Sequence, residues 1–299
     1  MREVYTVKKV LLCIAILFAL ATVFFLGLFI YEQVNIDKEG EQLENIADDV
    51  VILDTVPPET NSTMPSLPTV EETQPNTEAT EPTQPTTKPV QQTPTKTEYK
   101  TPTAVNMIEL RKKNEDVAGW VCLENSPINY PILYSSGNEY LNKNIYGKKS
   151  TSGSIFTYDT QNFSSVETMD KNLVLYGHNL RGGTMFSYVN TLYKNPNYLK
   201  NGRNKYIFIY NDSYIYKYQI YSVYKIGKNE NFNQIYFKGD ADFVNFVNMT
   251  YERSIYKDFN PNCEADDYIL TLSTCPTSDS KNYRMVLHAV LVEVASNNY

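Results

Sequence analysis

The feature that most constrains this chain is an uninterrupted apolar segment near its N-terminus. Residues 10–30 contain no charged side chain and lie between Lys9 and Glu32. At ~1.5 Å per residue, a helix of this length spans roughly the ~30 Å core of a bilayer. We therefore predict a single transmembrane helix that starts at Val10 and ends at Ile30 in the cell membrane. Because the basic residues flank its N-terminal side, residues 1–9 are expected in the cytoplasm and the rest of the chain outside the cell.

A cleaved signal peptide is the alternative interpretation of this segment. Ala19 and Ala21 follow a nine-residue apolar run, as in a cleavage site. Cleavage there would leave the apolar residues 23–30 as a free N-terminus in water. We therefore favour an uncleaved anchor.

Residues 31–103 are predicted to form an extracytoplasmic linker. Residues 55–103 contain 15 Thr, 10 of the 15 Pro residues of the chain, no Gly and one aromatic residue, Tyr99. Such a segment buries too little apolar surface to offset the entropy lost on ordering, so we expect a disordered stalk. Its Pro content favours a semi-extended spacer between membrane and domain, with an O-glycosylated stalk or a peptide ligand as alternatives. Residues 31–54 are acidic with scattered aliphatic side chains, and are expected to form either a short helix or more stalk.

The remaining residues, 104–299, fit a single domain. Apolar and polar side chains alternate in residues 215–226, as in a long strand with one covered face. Further strands are predicted at 173–176, 206–210, 268–272 and 284–294. Helices are predicted at about 104–113 and after Asp240, the expected N-cap of helically spaced apolar residues up to 251. Many strands and few helices favour a mainly β fold, a closed or nearly closed β-barrel with flanking helices.

Charge and cysteine spacing argue against two kinds of ligand. The net charge is −7 and no basic stripe occurs, so nucleic acid is not an expected partner. The four cysteines and two histidines show no paired metal spacing, and we predict neither a metal nor a cofactor. Cys13 lies in the apolar segment, and Cys122 fits a small buried hydrophobic residue. Cys263 has acidic neighbours, Glu264 and Asp266, that would raise its thiol pKa; a disulfide between Cys122 and Cys263 is left open.

The fourth cysteine, Cys275, ends a short apolar strand. It closes the sequence TLSTC at 271–275, and Arg284 opens the next strand nine residues later. If these strands pair antiparallel, the thiol and the guanidinium meet at one rim of the sheet. A nearby cation favours the reactive thiolate, and it can stabilise the oxyanion formed when that thiolate attacks a carbonyl. The alternative is a half-buried structural cysteine with an arginine that pairs elsewhere.

A nucleophilic cysteine needs a proton-transfer partner, for which histidine is the usual choice near neutral pH. His178 follows the apolar strand 173–176, so it is also expected at a strand end. The second histidine, His288, lies within a strand, ~13 Å along from Arg284. We therefore predict that His178 is the partner of Cys275 and that His288 is a hydrogen-bonded sheet residue.

The motifs around these residues resemble those of the sortase family, and within it those of class B. The family motifs are YGHN at 176–179, GTMF at 183–186, TLSTC at 271–275 and Arg284; the class motifs are NEDVAGW at 114–120, INYP at 128–131, NEYL at 138–141 and GSIF at 153–156. The resemblance covers about residues 104–295. Class B members often carry an aspartate before the position of Asn138, where this chain has Gly137, a difference that concerns the substrate groove.

The resemblance implies a sortase-like closed barrel with a helix-bearing insertion between two late strands. It implies three catalytic roles: Cys275 as nucleophile, His178 as general acid and base, and Arg284 as oxyanion stabiliser. Ser273 is expected on the same strand face as Cys275. We predict that Ser273 and Asn138 contact the substrate.

The implied function is that of a membrane-anchored cysteine transpeptidase. Such an enzyme cleaves an NPxTx-like C-terminal sorting signal of surface proteins after Thr, through a thioacyl intermediate, and transfers them to an amine of the cell-wall peptide. Three alternatives remain: a pilin-polymerising sortase, a surface cysteine peptidase and a non-enzymatic adhesin. Pilin polymerases usually resemble one another in an Asp-Pro-aromatic lid and a second membrane segment, and neither is expected from this sequence.

Overall fold

The computed structural model describes residues 2–53, 99–180, 183–274 and 282–299. Most of the predicted Thr/Pro-rich stalk, residues 55–98, lies outside the described residues. Cys275 lies outside them as well. The described residues form one compact unit, which joins the N-terminal 53 residues to the chain from Tyr99 onward.

The N-terminal helix α1 is continuous over Arg2–Val50. From Leu11 onward it is the one described helix that is long and apolar enough to cross a membrane, and it includes the predicted span 10–30. At its other end Ile46 and Val50 are each 2 % exposed, because they pack in the same apolar cluster as residues of the domain. Residues 31–50, for which helix and stalk were both considered, are therefore helical, and their last turns belong to the domain surface.

A two-stranded ribbon connects the end of α1 to the domain. Strand β1, Val51–Ile52, pairs antiparallel with β2, Ala104–Val105. Because β2 takes up the first predicted helical residues, helix α2 is Met107–Lys113 and starts three residues later than predicted. The side chain of Asn106 caps it by accepting a hydrogen bond from the Glu109 amide at 3.0 Å.

Eight of the described strands close into a barrel, which confirms the predicted fold. The strands are β3 Val117–Leu123, β4 Asn129–Ser135, β5 Ile155–Tyr158, β6 Asn172–Gly177, β7 Tyr206–Tyr210, β8 Tyr214–Gly227, β9 Ile269–Thr274 and β10 Tyr283–Ser296. Their spatial order is β10-β8-β7-β3-β4-β5-β6-β9, with β9 closing onto β10. The pairs β4–β5 and β6–β9 are parallel and the others antiparallel.

Alternation along the strands places one face in the central core and one face outside the barrel. On β6, Leu173 and Leu175 belong to the central apolar cluster, and on β9 Leu270 and Leu272 do. The first half of β8 alternates as predicted, but residues 220–224 are buried on both faces. The cause is a helix that covers its outer face, where Tyr221 packs in an apolar cluster with side chains of that helix.

That helix is α5, Asp240–Arg253, in the connection between β8 and β9, where the resemblance placed an insertion. Asp240 is its first residue and Gly239 is the N-cap, so the prediction of Asp240 as N-cap was wrong by one residue. The carboxylate of Asp242 accepts a hydrogen bond from the Lys238 amide at 3.0 Å instead. Two short helices, α3 Ser187–Lys194 and α4 Asn197–Lys200, were not predicted.

Candidate active site

One row of paired residues crosses the outer face of the barrel wall near its rim. The Cα partners run from Phe156 to Tyr176, then to Ser273, Val286 and Tyr224, and so connect β5, β6, β9, β10 and β8. On the parallel pair β6–β9 the described register ends one step further, at Gly177 opposite Thr274. The residues that follow this last pair in the sequence are His178 and Cys275.

His178 leaves β6 half-buried, and its ring is held by the main chain of another segment. Its Nε2 lies 2.7 Å from the carbonyl oxygen of Leu141. Because a carbonyl oxygen only accepts hydrogen bonds, Nε2 must carry the hydrogen. The neutral ring therefore keeps Nδ1 as its proton acceptor. The His178 carbonyl in turn accepts from the Phe186 amide at 2.9 Å, which folds the following loop back.

The Leu141 carbonyl is held at the end of a short 3-10 turn, Glu139–Leu141. The turn is fixed by Tyr140, whose hydroxyl donates to the Asp116 carboxylate at 2.5 Å and accepts from Asn114 Nδ2 at 2.8 Å. Gly153 lies against it in a left-handed conformation, φ +62°, and a Cβ there would come within 2.6 Å of the Leu141 oxygen. A glycine at this position is thus a condition for the contact with His178.

Arg284 is the second residue of β10 and is half-buried. It pairs in register with Ile226, and its Nη1 donates to the Tyr283 carbonyl at 3.0 Å. None of the carboxylates in the described part of the chain forms an ion pair with it. The alternative of a guanidinium that pairs elsewhere therefore receives no support from the described residues. Apart from the bond of Nη1, its N–H groups form no hydrogen bond with the described part of the chain.

An aromatic surface continues from the row toward Asn138. The rings of Tyr158 and Tyr176 lie 5.3 Å apart, and the Tyr158 hydroxyl donates to Asn138 Oδ1 at 3.1 Å. On the other side the Tyr176 hydroxyl accepts from Asn233 Nδ2 at 2.9 Å. Asn138 is exposed at the start of the 3-10 turn. Sequence reasoning missed the aromatic part of this surface, although Tyr176 stands in the YGHN motif.

Ser273, predicted to contact substrate, is 1 % exposed on β9. The next residue, Thr274, has the same exposure, and its hydroxyl accepts from the Met285 amide at 3.4 Å, which ties the end of β9 to β10. The structure therefore brings Ser273 into the row beside Tyr176, but as a covered side chain.

His288 is the structural histidine that the sequence predicts. It is 0 % exposed, and its two ring nitrogens each lie 2.9 Å from a hydroxyl oxygen, of Tyr224 and Thr271. The Thr271 hydroxyl donates to Asn172 Oδ1 at 2.8 Å, so it accepts from His288 Nδ1, and Nε2 accepts from Tyr224. Burial, with a smaller contribution from the charge of Arg253, lowers the pKa of His288 to about 3.

Cys122 and Cys263 both have free thiols, so the disulfide between them that the sequence left open is not formed. Burial is the main reason that the pKa of each thiol is raised to about 12. For Cys263 the acidic neighbour is Asp267, rather than Glu264 or Asp266 as expected. Both thiols are therefore protonated and poor nucleophiles at neutral pH. The described residues contain no group of three His, Cys, Asp or Glu side chains that could hold a metal ion.

Comparison with known proteins agrees with this fold and these motifs. The family model of the sortase domain matches residues 124–292. Sortase B of Listeria monocytogenes serovar 1/2a is 33 % identical over 187 residues, which is 62 % of this chain and 73 % of that protein.

Two solved structures show the same fold. The Staphylococcus aureus sortase B–substrate complex has a TM-score of 0.56 and 31 % identity, covering 62 % of this chain and 84 % of that one. A sortase B complexed with triglycine has a TM-score of 0.56 and 30 % identity, covering 62 % and 85 %.

The closed barrel, the sortase-domain match and the sortase B relatives together define a cysteine transpeptidase. The chain belongs to the sortase family. Within the family its relatives and structural neighbours are class B sortases, and it is a class B sortase as predicted.

Proposed function

We propose that the chain is a membrane-anchored sortase that uses Cys275, His178 and Arg284 to transfer surface proteins to a cell-wall amine. The register of the barrel wall is the observation that supports this assignment. Continuing β6–β9 by one pair beyond Gly177 and Thr274 aligns His178 with position 275. Continuing β9–β10 by two pairs beyond Ser273 and Val286 aligns position 275 with Arg284. If the pairing continues in this register, the three residues share one row at the rim.

In the proposed first half-reaction, the Cys275 thiolate attacks the main-chain carbonyl carbon of the Thr residue in an NPxTx-like signal. The carbonyl π electrons move to oxygen, and Arg284 donates hydrogen bonds to this oxyanion. When the oxyanion collapses, the peptide C–N bond breaks and the departing amine takes a proton from the His178 imidazolium. The products are a thioacyl enzyme and a free C-terminal fragment.

In the second half-reaction, an incoming amine attacks the thioacyl carbon. Neutral His178 accepts the proton of that amine, and the thiolate of Cys275 leaves. The hydrogen bond from His178 Nε2 to the Leu141 carbonyl supports the assignment of one ring nitrogen to this proton transfer. Since Nε2 keeps its hydrogen in both protonation states, Nδ1 is the nitrogen that gains and loses the proton.

Two features support the assigned substrates. Related structures are named as a sortase B–substrate complex and as a sortase B complexed with triglycine, a peptide with a free amine. In this chain Asn138, Tyr158 and Tyr176 form a half-exposed polar and aromatic surface beside His178. We propose that the sorting signal lies along this surface, with Asn138 as a hydrogen-bonding partner.

Helix α1 supports the proposed location. Residues 10–30 form the transmembrane part, with residues 1–9 in the cytoplasm and the barrel outside the cell. An anchor of this kind keeps the enzyme near substrates and cell-wall precursors that are made at the membrane surface.

The test compares the wild-type chain with Cys275→Ala, with Cys122→Ala as the matched control. Each is incubated with a panel of sorting-signal peptides and amines, and the products are identified by mass spectrometry. We expect wild type and Cys122→Ala to join the amine to the peptide after Thr, and Cys275→Ala to form no product. Added water in place of the amine indicates a peptidase, and product from Cys275→Ala refutes the proposed nucleophile.

A further inference from the structure

We propose that the barrel rests on the membrane surface through a basic loop, residues 143–149, that binds anionic phospholipid headgroups. The proposal rests on the membrane anchoring by α1 proposed above. It concerns what holds the catalytic domain in place once α1 is inserted.

The connection between membrane and domain is helical. Only α1 connects residue 30 to the domain, and it continues without interruption to Val50. The strand that follows, β1, pairs with β2, so that Ile52 lies opposite Ala104 and the Thr103 amide donates to the Ile52 carbonyl at 2.8 Å. The anchor segment and the domain are thus joined by α1 itself and by the pairing of β1 with β2.

The contact between α1 and the domain begins close to the apolar segment. The Ser150 hydroxyl donates to the Glu39 carboxylate at 2.7 Å, and Lys113 forms a 3.2 Å ion pair with Asp49. Glu39 lies nine residues after Ile30, which is ~14 Å along the helix axis. The first of these contacts between α1 and the domain is therefore ~14 Å from the bilayer core.

A groove of about 850 Å³ lies at this level, between α1 and the loop that precedes Ser150. The helix side includes Leu28 and Tyr31, at the end of the apolar segment, and the loop side includes Tyr146, Lys148 and Lys149. The headgroup region extends ~5–8 Å beyond the hydrocarbon core. The loop lysines share one groove with the end of the apolar segment, so their long side chains can reach along it to the headgroup region.

The loop presents unpaired positive charge on a fixed backbone. Lys143 and Lys149 pair across the loop, and the Asn144 side chain accepts from the Lys148 amide at 3.1 Å. The three lysine side chains are exposed, and none forms an ion pair with a carboxylate in the described ranges.

Positive charge is in excess in the groove lining, which contains the lysines Lys38, Lys148 and Lys149 and the carboxylates Glu32 and Glu39. Tyr146 is 42 % exposed, and tyrosine is typical of the membrane interface. Unpaired lysines around an aromatic residue within reach of the headgroup region suit an anionic lipid surface.

The experiment uses the full chain in nanodiscs of phosphatidylglycerol or phosphatidylcholine. A water-soluble acylating reagent labels exposed amines, and mass spectrometry gives the labelling rates of Lys148 and Lys149 relative to Lys238, an exposed lysine outside the groove. We expect the relative rate to be at least about five-fold lower in phosphatidylglycerol. In 1 M NaCl, where the Debye length is ~3 Å, the difference is expected to disappear.

Two variants test the charge directly. In K148E/K149E, the phosphatidylglycerol-dependent protection of Lys143 should be lost, whereas the matched variant K194E/K200E, on α3 and α4, should keep it. Equal rates in the two lipids refute the docking. Protection by inorganic phosphate in phosphatidylcholine discs refutes it as well, since it would show an anion site rather than membrane contact. Flotation with the nanodiscs separately reports the anchor, and a chain that does not float refutes both proposals.

Discussion

The two histidines occupy opposite kinds of position in the same barrel wall. His178 follows the last residue of β6, is half-buried, and has one ring nitrogen engaged by a main-chain carbonyl. His288 lies in the middle of β10, is fully buried, and has both ring nitrogens engaged by hydroxyl groups. The difference shows why a histidine in a strand interior is unsuited to proton transfer. A satisfied, buried imidazole gains no proton near neutral pH, whereas a strand end leaves one nitrogen available.

The largest effect is expected from the first of two substitutions that each remove one histidine ring. His178→Ala removes the proposed acid and base and should lower kcat/KM by about 10²–10⁴-fold. His288→Gln should leave the rate within a few-fold of wild type and mainly reduce stability. The measurement is steady-state transfer of a sorting-signal peptide to an amine. If His288→Gln were inactive but still folded by circular dichroism, the roles assigned to the two histidines would be reversed.

The next comparison concerns Arg284, the proposed oxyanion stabiliser, and Ser273, which is predicted to contact the substrate. Arg284→Lys keeps the charge but loses the planar fork of donors, and should lower kcat by about 10²–10³-fold. Ser273→Ala should lose less, because Ser273 is a covered side chain. Arg203→Lys, at an exposed arginine over Tyr198, is the control for the substitution itself. A near-wild-type Arg284→Lys would leave only an electrostatic role, and a more severe Ser273→Ala would mean that the oxyanion donor was assigned to the wrong residue.

A smaller effect should follow from moving the carbonyl that holds His178. Gly153→Ala places a Cβ within 2.6 Å of the Leu141 oxygen, whereas Gly147→Ala has the same left-handed backbone, φ +69°, with no atom within 4 Å. Both variants carry backbone strain, but only the first displaces the acceptor of the Nε2 hydrogen bond. We expect kcat to fall about 10- to 100-fold in Gly153→Ala with KM little changed, and to stay near wild type in Gly147→Ala. Equal losses in the two would show that strain alone is responsible.

The contrast between rim and interior also shows what the sequence could predict. Strand 206–210 was predicted with its observed bounds, and 173–176 within one residue, because alternation and β-branched content are local signals. The positions of His178 and Arg284 at strand ends follow from the same signal. The Leu141 carbonyl was not predictable, since it meets His178 across 37 residues and presents no side-chain pattern. The pairing of β1 with β2 depends in the same way on residues about 50 positions apart, with two residues in each strand.

The smallest effect is the pH dependence of stability that His288 contributes. Its pKa is about 3 in the folded state and 6.5 as the ordinary value, so below pH 6.5 the unfolded chain binds a proton that the folded barrel does not. The folded state therefore loses stability as the pH falls from about 6.5 toward 3, by up to about 1.4 kcal/mol per pH unit. Between pH 6.5 and 5, His288 should thus cost the wild-type chain about 2 kcal/mol of unfolding free energy. Urea titrations in detergent micelles should show this loss in wild type but not in His288→Gln. If His288→Gln keeps the full slope, other groups are responsible for the acid sensitivity, and the buried histidine is not the pH-sensitive element of the barrel.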